Sequence, residues 1–178
     1  MLATERFDLW RPRASDLDGL CALIADAETR RFLGPALPER QPQFDRLMRN
    51  AGSWALYGYG TFMVRERGLP DIVASCGVFH SLRGYGPQIG MDDVPEGGWI
   101  VRADWQGRGV AREVMDAVLA WFDRTHGPRR IACMIEDGNA ASERLAARLG
   151  FVRYGRHEII DGGEAVTLHL FERPGRGP

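Results

Sequence analysis

The chain has 178 residues, 44% hydrophobic and 26% charged, with a formal net charge of -1 and a pI of about 6.4. That profile belongs to one folded domain and not to a disordered, fibrous or membrane chain, and it lacks the basic field of a nucleic-acid binder. All 23 basic residues are arginine, so neither a P-loop nor a Schiff-base mechanism, each of which needs a lysine, can operate.

In chain order, Phe7-Asp8-Leu9-Trp10-Arg11 alternates as a half-buried strand, and Ser15-Asp16 is placed to cap a helix carrying Leu17, Leu20, Leu23 and Ile24. Residues 30–42 are broken by Gly34, Pro35 and Pro38, which predicts an irregular, mobile segment. Phe44, Leu47 and Met48 then suggest a second short helix ending near Gly52. Three strand-like runs follow, at about 61–65, 72–80 and 98–101, separated by glycine and proline turns. Residues 109–122 form the most regular helix, with Val110, Val114, Val118 and Phe122 on one stripe. A short buried strand at 131–135 leads to a helix opened by Asn139 and stopped by Gly150, with Phe151 packing back on it. Strands at about 152–160 and 165–171 are joined by Asp161-Gly162-Gly163, a hairpin turn. The expectation is a single domain over 1–173 with a loose tail at 174–178.

Cys21, Cys76 and Cys133 have no metal-ligand spacing, so no metal is expected and the thiols are read as reduced. Charges at Glu5, Arg6, Asp8 and Arg11 leave no room for a secretory hydrophobic region. The longest uncharged run, 50–64, is shorter than the ~20 residues of a membrane span. A cytoplasmic protein without a membrane partner follows as the expectation.

Chemistry concentrates in residues 98–111, a strand running through Gln106-Gly107-Arg108-Gly109 into the regular helix. Such a turn aims several backbone N–H groups at one point, where the helix dipole also favours an anion, and glycines let the backbone approach a pyrophosphate. On a pattern this short, a simple tight turn is an equal reading. Gln106-Gly107-Arg108-Gly109-Val110-Ala111 resembles the Gln/Arg-x-x-Gly-x-Gly/Ala coenzyme A signature of the GNAT acetyltransferase superfamily. Asn139-Ala-Ala-Ser142 with Leu149-Gly150-Phe151 is similar to a second segment of its RimJ/RimL branch, and Thr4-Glu5-Arg6 and Glu96-Gly-Gly-Trp99 also resemble that branch.

That resemblance implies an α/β fold with a mixed, mostly antiparallel seven-stranded sheet, helices on both faces, and a V-shaped splay between the strands around Val101 and Ile135. It implies acetyl-CoA as co-substrate, its pantetheine arm bonded to backbone near Ile100 and Val101. The pyrophosphate would rest on N–H groups from Gly107 to Ala111, with Arg102, Arg108 and Arg112 near enough to reach phosphates. Asn139 would cap its helix and touch the pantetheine amides. Ser142 would protonate the leaving thiolate, although a first-turn serine also serves as a local capping partner. The tyrosine that many superfamily members use as the acid would fall at Ala146, which puts the weight on Ser142 or water. Glu96 is the candidate base, the alternative being a solvated loop carboxylate after Asp92, Asp93 and Pro95. The expected function is acetyl transfer to a primary amine, on a protein N-terminus or a small molecule; the alternative is a catalytically silent acetyl-CoA-binding sensor or interaction module. A dinucleotide-dependent oxidoreductase is disfavoured, because no Gly-x-Gly-x-x-Gly follows a strand. Sheet edges that pair in this fold suggest a homodimer. His80, His126, His157 and His169 form no motif and are read as satisfied or surface histidines, and Trp54, Tyr57, Tyr59 and Tyr85 as core or groove walls.

Overall fold

Period-two burial along Phe7–Trp10 and the near-continuous burial of residues 72–78 mark a strand near one edge and a central strand of one sheet. The computed structural model describes residues 1–34 and 38–175. Residues 35–37 of the segment expected to be irregular, and 176–178 of the expected tail, lie outside the described residues. The strands are β1 (Leu2–Ala3), β2 (Phe7–Trp10), β3 (Thr61–Glu66), β4 (Ile72–Leu82), β5 (Asp92–Val101), β6 (Ile131–Glu136), β7 (Val152–Asp161) and β8 (Glu164–Arg173). Their order is β1-β2-β3-β4-β5-β6-β8-β7. Every neighbouring pair is antiparallel except β5 and β6, which run parallel. The eighth strand, beyond the seven expected, is β1, whose two residues are too few to show alternation in the sequence.

Helices α1 (Leu17–Leu23), α2 (Ala27–Arg30), α3 (Arg40–Tyr57), α4 (Val110–His126) and α5 (Ala140–Arg148) complete the fold. Leu20, Leu23 and Leu47 from α1 and α3 pack with Met63, Ile72 and Ile100 on one face of the sheet. Val110, Val114, Val118 and Phe122 of α4 and Ala146 of α5 pack with Cys76, Val78, Cys133 and Phe171 on the other. Burying a stripe of this kind stabilises by roughly 1.5–3 kcal/mol per large side chain, which makes α4 the dominant prop of its face.

Three local readings differ from expectation. Ser15 and Asp16 do not cap the helix that follows; the Asp16 carboxylate instead accepts from Arg13 N at 2.8 Å and from Arg65 Nη2 at 2.5 Å, stapling the helix start to β3. Helix α3 runs through Gly52 and ends at Gly58, because Ser53 and Trp54 are buried and hold the next turn down. Gly58 stops it in the left-handed conformation, φ 77°, that residues with a Cβ resist. Strand β5 starts at Asp92 and not at Gly98. The Asp92 carboxylate accepts from Arg83 N, Gly84 N and Gly86 N at 2.6, 2.6 and 2.7 Å and folds the 83–91 loop onto the strand, while Pro95 falls before the pairing with β6 begins.

The histidines divide. His80 bonds Tyr59 Oη at 3.0 Å and Asp93 Oδ1 at 2.8 Å, and His169 bonds Glu143 Oε1 at 2.5 Å. His157 lies against the Tyr85 ring, with centroids 4.5 Å apart. His126, expected to be satisfied or at the surface, has a buried Nε2 with no hydrogen-bond partner among the described residues, packed among Tyr59, Trp121 and Phe122. Burial first, and then the Arg129 charge, hold its pKa below the ordinary value. A depressed imidazole contributes stability that is present above its unfolded pKa, about 6.5, and is lost as pH falls through the folded value. His126→Phe should therefore flatten the acid-side decline in urea midpoint relative to the unsubstituted protein, measured between pH 8 and pH 5.

Candidate active site

β5 and β6 are in register only at Glu96 and Ala132. Beyond that pair they part, so from Gly97 onward β5 has β4 on one side and no strand on the other. This is the V-shaped opening between the strands of Val101 and Ile135. Alternation assigns the two walls. Trp99 and Val101 pack on the α4/α5 face, whereas Ile100 packs on the α1/α3 face together with Gly98, where an added Cβ would meet the Phe79 ring at 3.0 Å.

At the end of β5 the chain makes a 3₁₀ turn, Ala103–Trp105, and enters the glycine loop. Gln106 Nε2 donates to Val101 O at 3.0 Å, folding the loop over the strand end. Gly107 and Gly109 adopt φ 72° and 77°, and Gly109 is the N-cap of α4, with no side chain closing the helix end. The first N–H groups of the 17-residue helix thus have no intrahelical acceptor and present a positive dipole end. Val110 is buried and holds this end down on the core, leaving Ala111 half-buried beside it.

Of the three arginines expected near phosphates, Arg102 is clamped on Asp104 at 2.7 and 2.9 Å and Arg112 pairs with Asp116 at 2.5 Å. Arg108 lies over the Trp105 ring at 5.4 Å.

Across the opening stands the N-terminus of α5. Asn139 Oδ1 accepts from Ser142 N at 3.2 Å, so Asn139 caps the helix through its carbonyl oxygen. Ser142 Oγ accepts from Trp99 Nε1 at 3.2 Å, a bond that bridges β5 and α5. A hydroxyl used as an acceptor in this way retains its own proton for donation. Ala146, where a tyrosine acid would fall, is fully buried in the core.

Glu96 belongs to β5, with only 4% of its surface exposed, and is not a loop carboxylate. By strand alternation it shares the α1/α3 face with Gly98 and Ile100, opposite the face of Ser142. Both its oxygens accept from one guanidinium: Arg83 Nη2 to Oε1 at 2.6 Å and Arg83 Nε to Oε2 at 3.0 Å. Arg83 and the Trp99–Ser142 bond were not legible beforehand, because each partner lies far from its counterpart in sequence. Farther along the α1/α3 face, burial and then the Asp161 charge raise the pKa of Glu136. Among the thiols, burial pushes Cys76 up to about 12 and raises Cys133 as well, so neither supplies a thiolate. Among the described residues no group of three or more His, Cys, Asp or Glu could hold a metal ion, and no helix is long and apolar enough to cross a membrane.

A parallel strand pair splayed between two helix N-termini, one of them glycine-bounded and uncapped, defines an acyltransferase architecture. Residues 6–152 match the family model described as an acetyltransferase (GNAT) domain, and the chain belongs to that family. Among solved structures it is similar to a GnaT-family acetyltransferase from Bordetella pertussis, with 32% identity and a TM-score of 0.82 over 97% of this chain and 98% of that one. The fold is also that of the ribosomal-protein-S5-alanine acetyltransferase from Vibrio fischeri, with 16% identity and a TM-score of 0.76 over 99% of this chain and 98% of that one. RimL, a ribosomal L7/L12 alpha-N-protein acetyltransferase solved in complex with coenzyme A, aligns at 14% identity and a TM-score of 0.76 over 96% and 95% of the two chains.

Removing Arg83 strands the buried Glu96 carboxylate, at a cost of about 3 kcal/mol or more, whereas removing the Glu96 charge leaves a half-buried arginine that water can reach and costs less. Arg83→Met and Glu96→Gln should each destabilise, and the double variant should lose clearly less than the sum of the two in a urea double-mutant cycle.

Proposed function

We propose that the protein is an acetyl-CoA-dependent N-acetyltransferase that transfers acetyl directly to a primary amine, with an α-amine of a peptide or small molecule as the favoured acceptor. The observation that carries this reading is the opening that begins after Glu96–Ala132 and ends between the N-termini of α4 and α5. Its chemistry fits the co-substrate. Backbone N–H groups at 107–111, including those of Val110 and Ala111, suit a diphosphate; the unpaired edge of β5 near Ile100 and Val101 suits the amides of a pantetheine arm. The coenzyme A complex of RimL, on the same fold, supports the assignment.

Arg108, whose guanidinium lies over the Trp105 face near the Asp104 charge and not in a carboxylate fork, is the arginine that turns toward phosphate. Arg102 and Arg112 reach a phosphate only by leaving Asp104 and Asp116. Asn139, with its carbonyl engaged at Ser142 N, offers its NH₂ group to a pantetheine carbonyl.

The amine nitrogen attacks the thioester carbon, the carbon–sulfur bond breaks, and Ser142 Oγ–H protonates the departing sulfur and is reprotonated from water. Trp99 Nε1 donates to the same oxygen and stabilises the negative charge left on it. The proton lost by the amine passes through water to Glu96, on the opposite face. Glu96 can take it only in competition with the Arg83 guanidinium, which bears on the choice of acceptor. Deprotonation at pH 7 costs about 1 kcal/mol for an α-amine of pKa ~7.8 but roughly 4–5 kcal/mol for a lysine amine. A carboxylate already engaged twice suffices for the first and is strained by the second.

Steady thiol release from acetyl-CoA with a panel of amines tests this assignment; binding without release would leave the protein a sensor or interaction module. Ser142→Ala should lower turnover about 10- to 1,000-fold with little change in acetyl-CoA affinity. A loss of stability with normal turnover per folded molecule would reduce the serine to a helix-end residue.

Glu96→Gln should depress kcat/KM more for a lysine-like amine than for an α-amine, and should move the rise of the pH–rate profile toward the free amine's own pKa. Superimposable profiles for the two proteins would remove Glu96 from the proton path.

A further inference from the structure

The first turn of α4 carries a carboxylate, Glu113, close to the helix end that the proposed function assigns to a diphosphate. Left to itself, a negative charge there would repel the ligand. Arg6, at the entry to β2, meets it: Arg6 Nε donates to Glu113 Oε2 at 2.7 Å and Arg6 N to Glu113 Oε1 at 3.0 Å. Burial pushes the Glu113 carboxyl up, but the hydrogen bonds from Thr4 and from the Arg6 backbone and guanidinium outweigh it and hold its pKa below the ordinary value. The same guanidinium reaches the loop itself, with Arg6 Nη2 donating to Arg108 O at 3.1 Å. The Arg108 carbonyl is thereby occupied by Arg6, and the peptide that carries it is held in one orientation. Aromatic contacts run along the same path: Phe7 meets Trp105 edge-on with centroids 6.0 Å apart, and Arg6 lies over the Phe7 ring at 4.9 Å.

We propose that Arg6 is a positioning residue for the diphosphate site. It cancels the Glu113 charge inside that site and orients the 106–109 loop through the Arg108 carbonyl, without touching the co-substrate. The proposal rests on the acetyl-CoA reading above, and two ligands separate their failures. Acetyl-CoA carries the diphosphate; S-acetylpantetheine carries the same thioester and amides without it. If the unsubstituted protein bound the two equally well, the diphosphate site itself would be wrong, and Arg6 with it.

Given a preference for acetyl-CoA, Arg6→Ala should weaken acetyl-CoA binding about tenfold in calorimetry, the scale of one lost charge-assisted contact, and leave S-acetylpantetheine unchanged. Adding Glu113→Gln to Arg6→Ala should recover a large part of that loss, because the repelling charge is then gone. A purely structural arginine would weaken both ligands together, and neutralising Glu113 would not help; either result overturns the proposal. Arg6→Lys keeps the charge and serves if the alanine variant does not fold. It should bind acetyl-CoA less than tenfold more weakly than the unsubstituted protein, and a loss shared by S-acetylpantetheine would again overturn the assignment.

Discussion

A parallel pair of strands held together at a single residue pair sets the terms for the rest of the molecule. Main-chain N–H and C=O groups that face neither water nor a partner are costly, so the edge of β5 beyond Glu96, which β6 leaves unpaired, must be met by water or by another extended chain. Because the two strands are parallel, both run toward the same end of the sheet, and each there turns into a helix. Two positive helix ends thereby converge on one opening without any side chain being needed to bring them together. The fold also separates tasks by face: α4 and α5 pack where Ser142 lies, and α1 and α3 where Glu96 lies.

A chain that uses arginine alone for its positive charge places those charges differently from one that mixes arginine with lysine. The guanidinium fork matches a carboxylate in two directions, and Arg83 on Glu96, Arg102 on Asp104 and Arg173 on Asp123 are held in that way. Arg6 and Arg65 divide the fork instead, one nitrogen going to a carboxylate, Glu113 or Asp16, and another to a backbone carbonyl, of Arg108 or Pro70. The net charge of -1 leaves the chain without a general basic field. Oriented backbone is a separate source of positive potential, and it is found where Gly107 and Gly109 take positive φ ahead of α4.

What could be read from the sequence follows from how local each cause is. Helix α4 was legible because its apolar stripe is periodic, and α5 because Asn139 and Gly150 mark its ends. The glycine loop was legible because its turn takes Gly107 and Gly109 to positive φ, a conformation that favours glycine. Features that depend on partners far along the chain were not. The extension of α3 past Gly52 depends on Ser53 and Trp54 finding burial against strands β3 and β4, which outweighs one glycine's helix penalty of about 1 kcal/mol. The true extent of β5 was hidden by Pro95 and two glycines, whose effect is overridden by pairing with β4 along its length. Glu96 looked as much like a solvated carboxylate as a buried one, because nothing nearby in sequence announces Arg83.

The bond from the Arg6 backbone to Glu113 spans 107 residues. Contacts of that separation form late, since the intervening chain must be ordered before its ends can meet. Strand β2 can therefore pair with β3 during synthesis, while the bond from Arg6 to Glu113 waits for α4. Fastening of the glycine loop to Arg6 belongs to that later stage, after more than half of the chain has followed the residue that holds it.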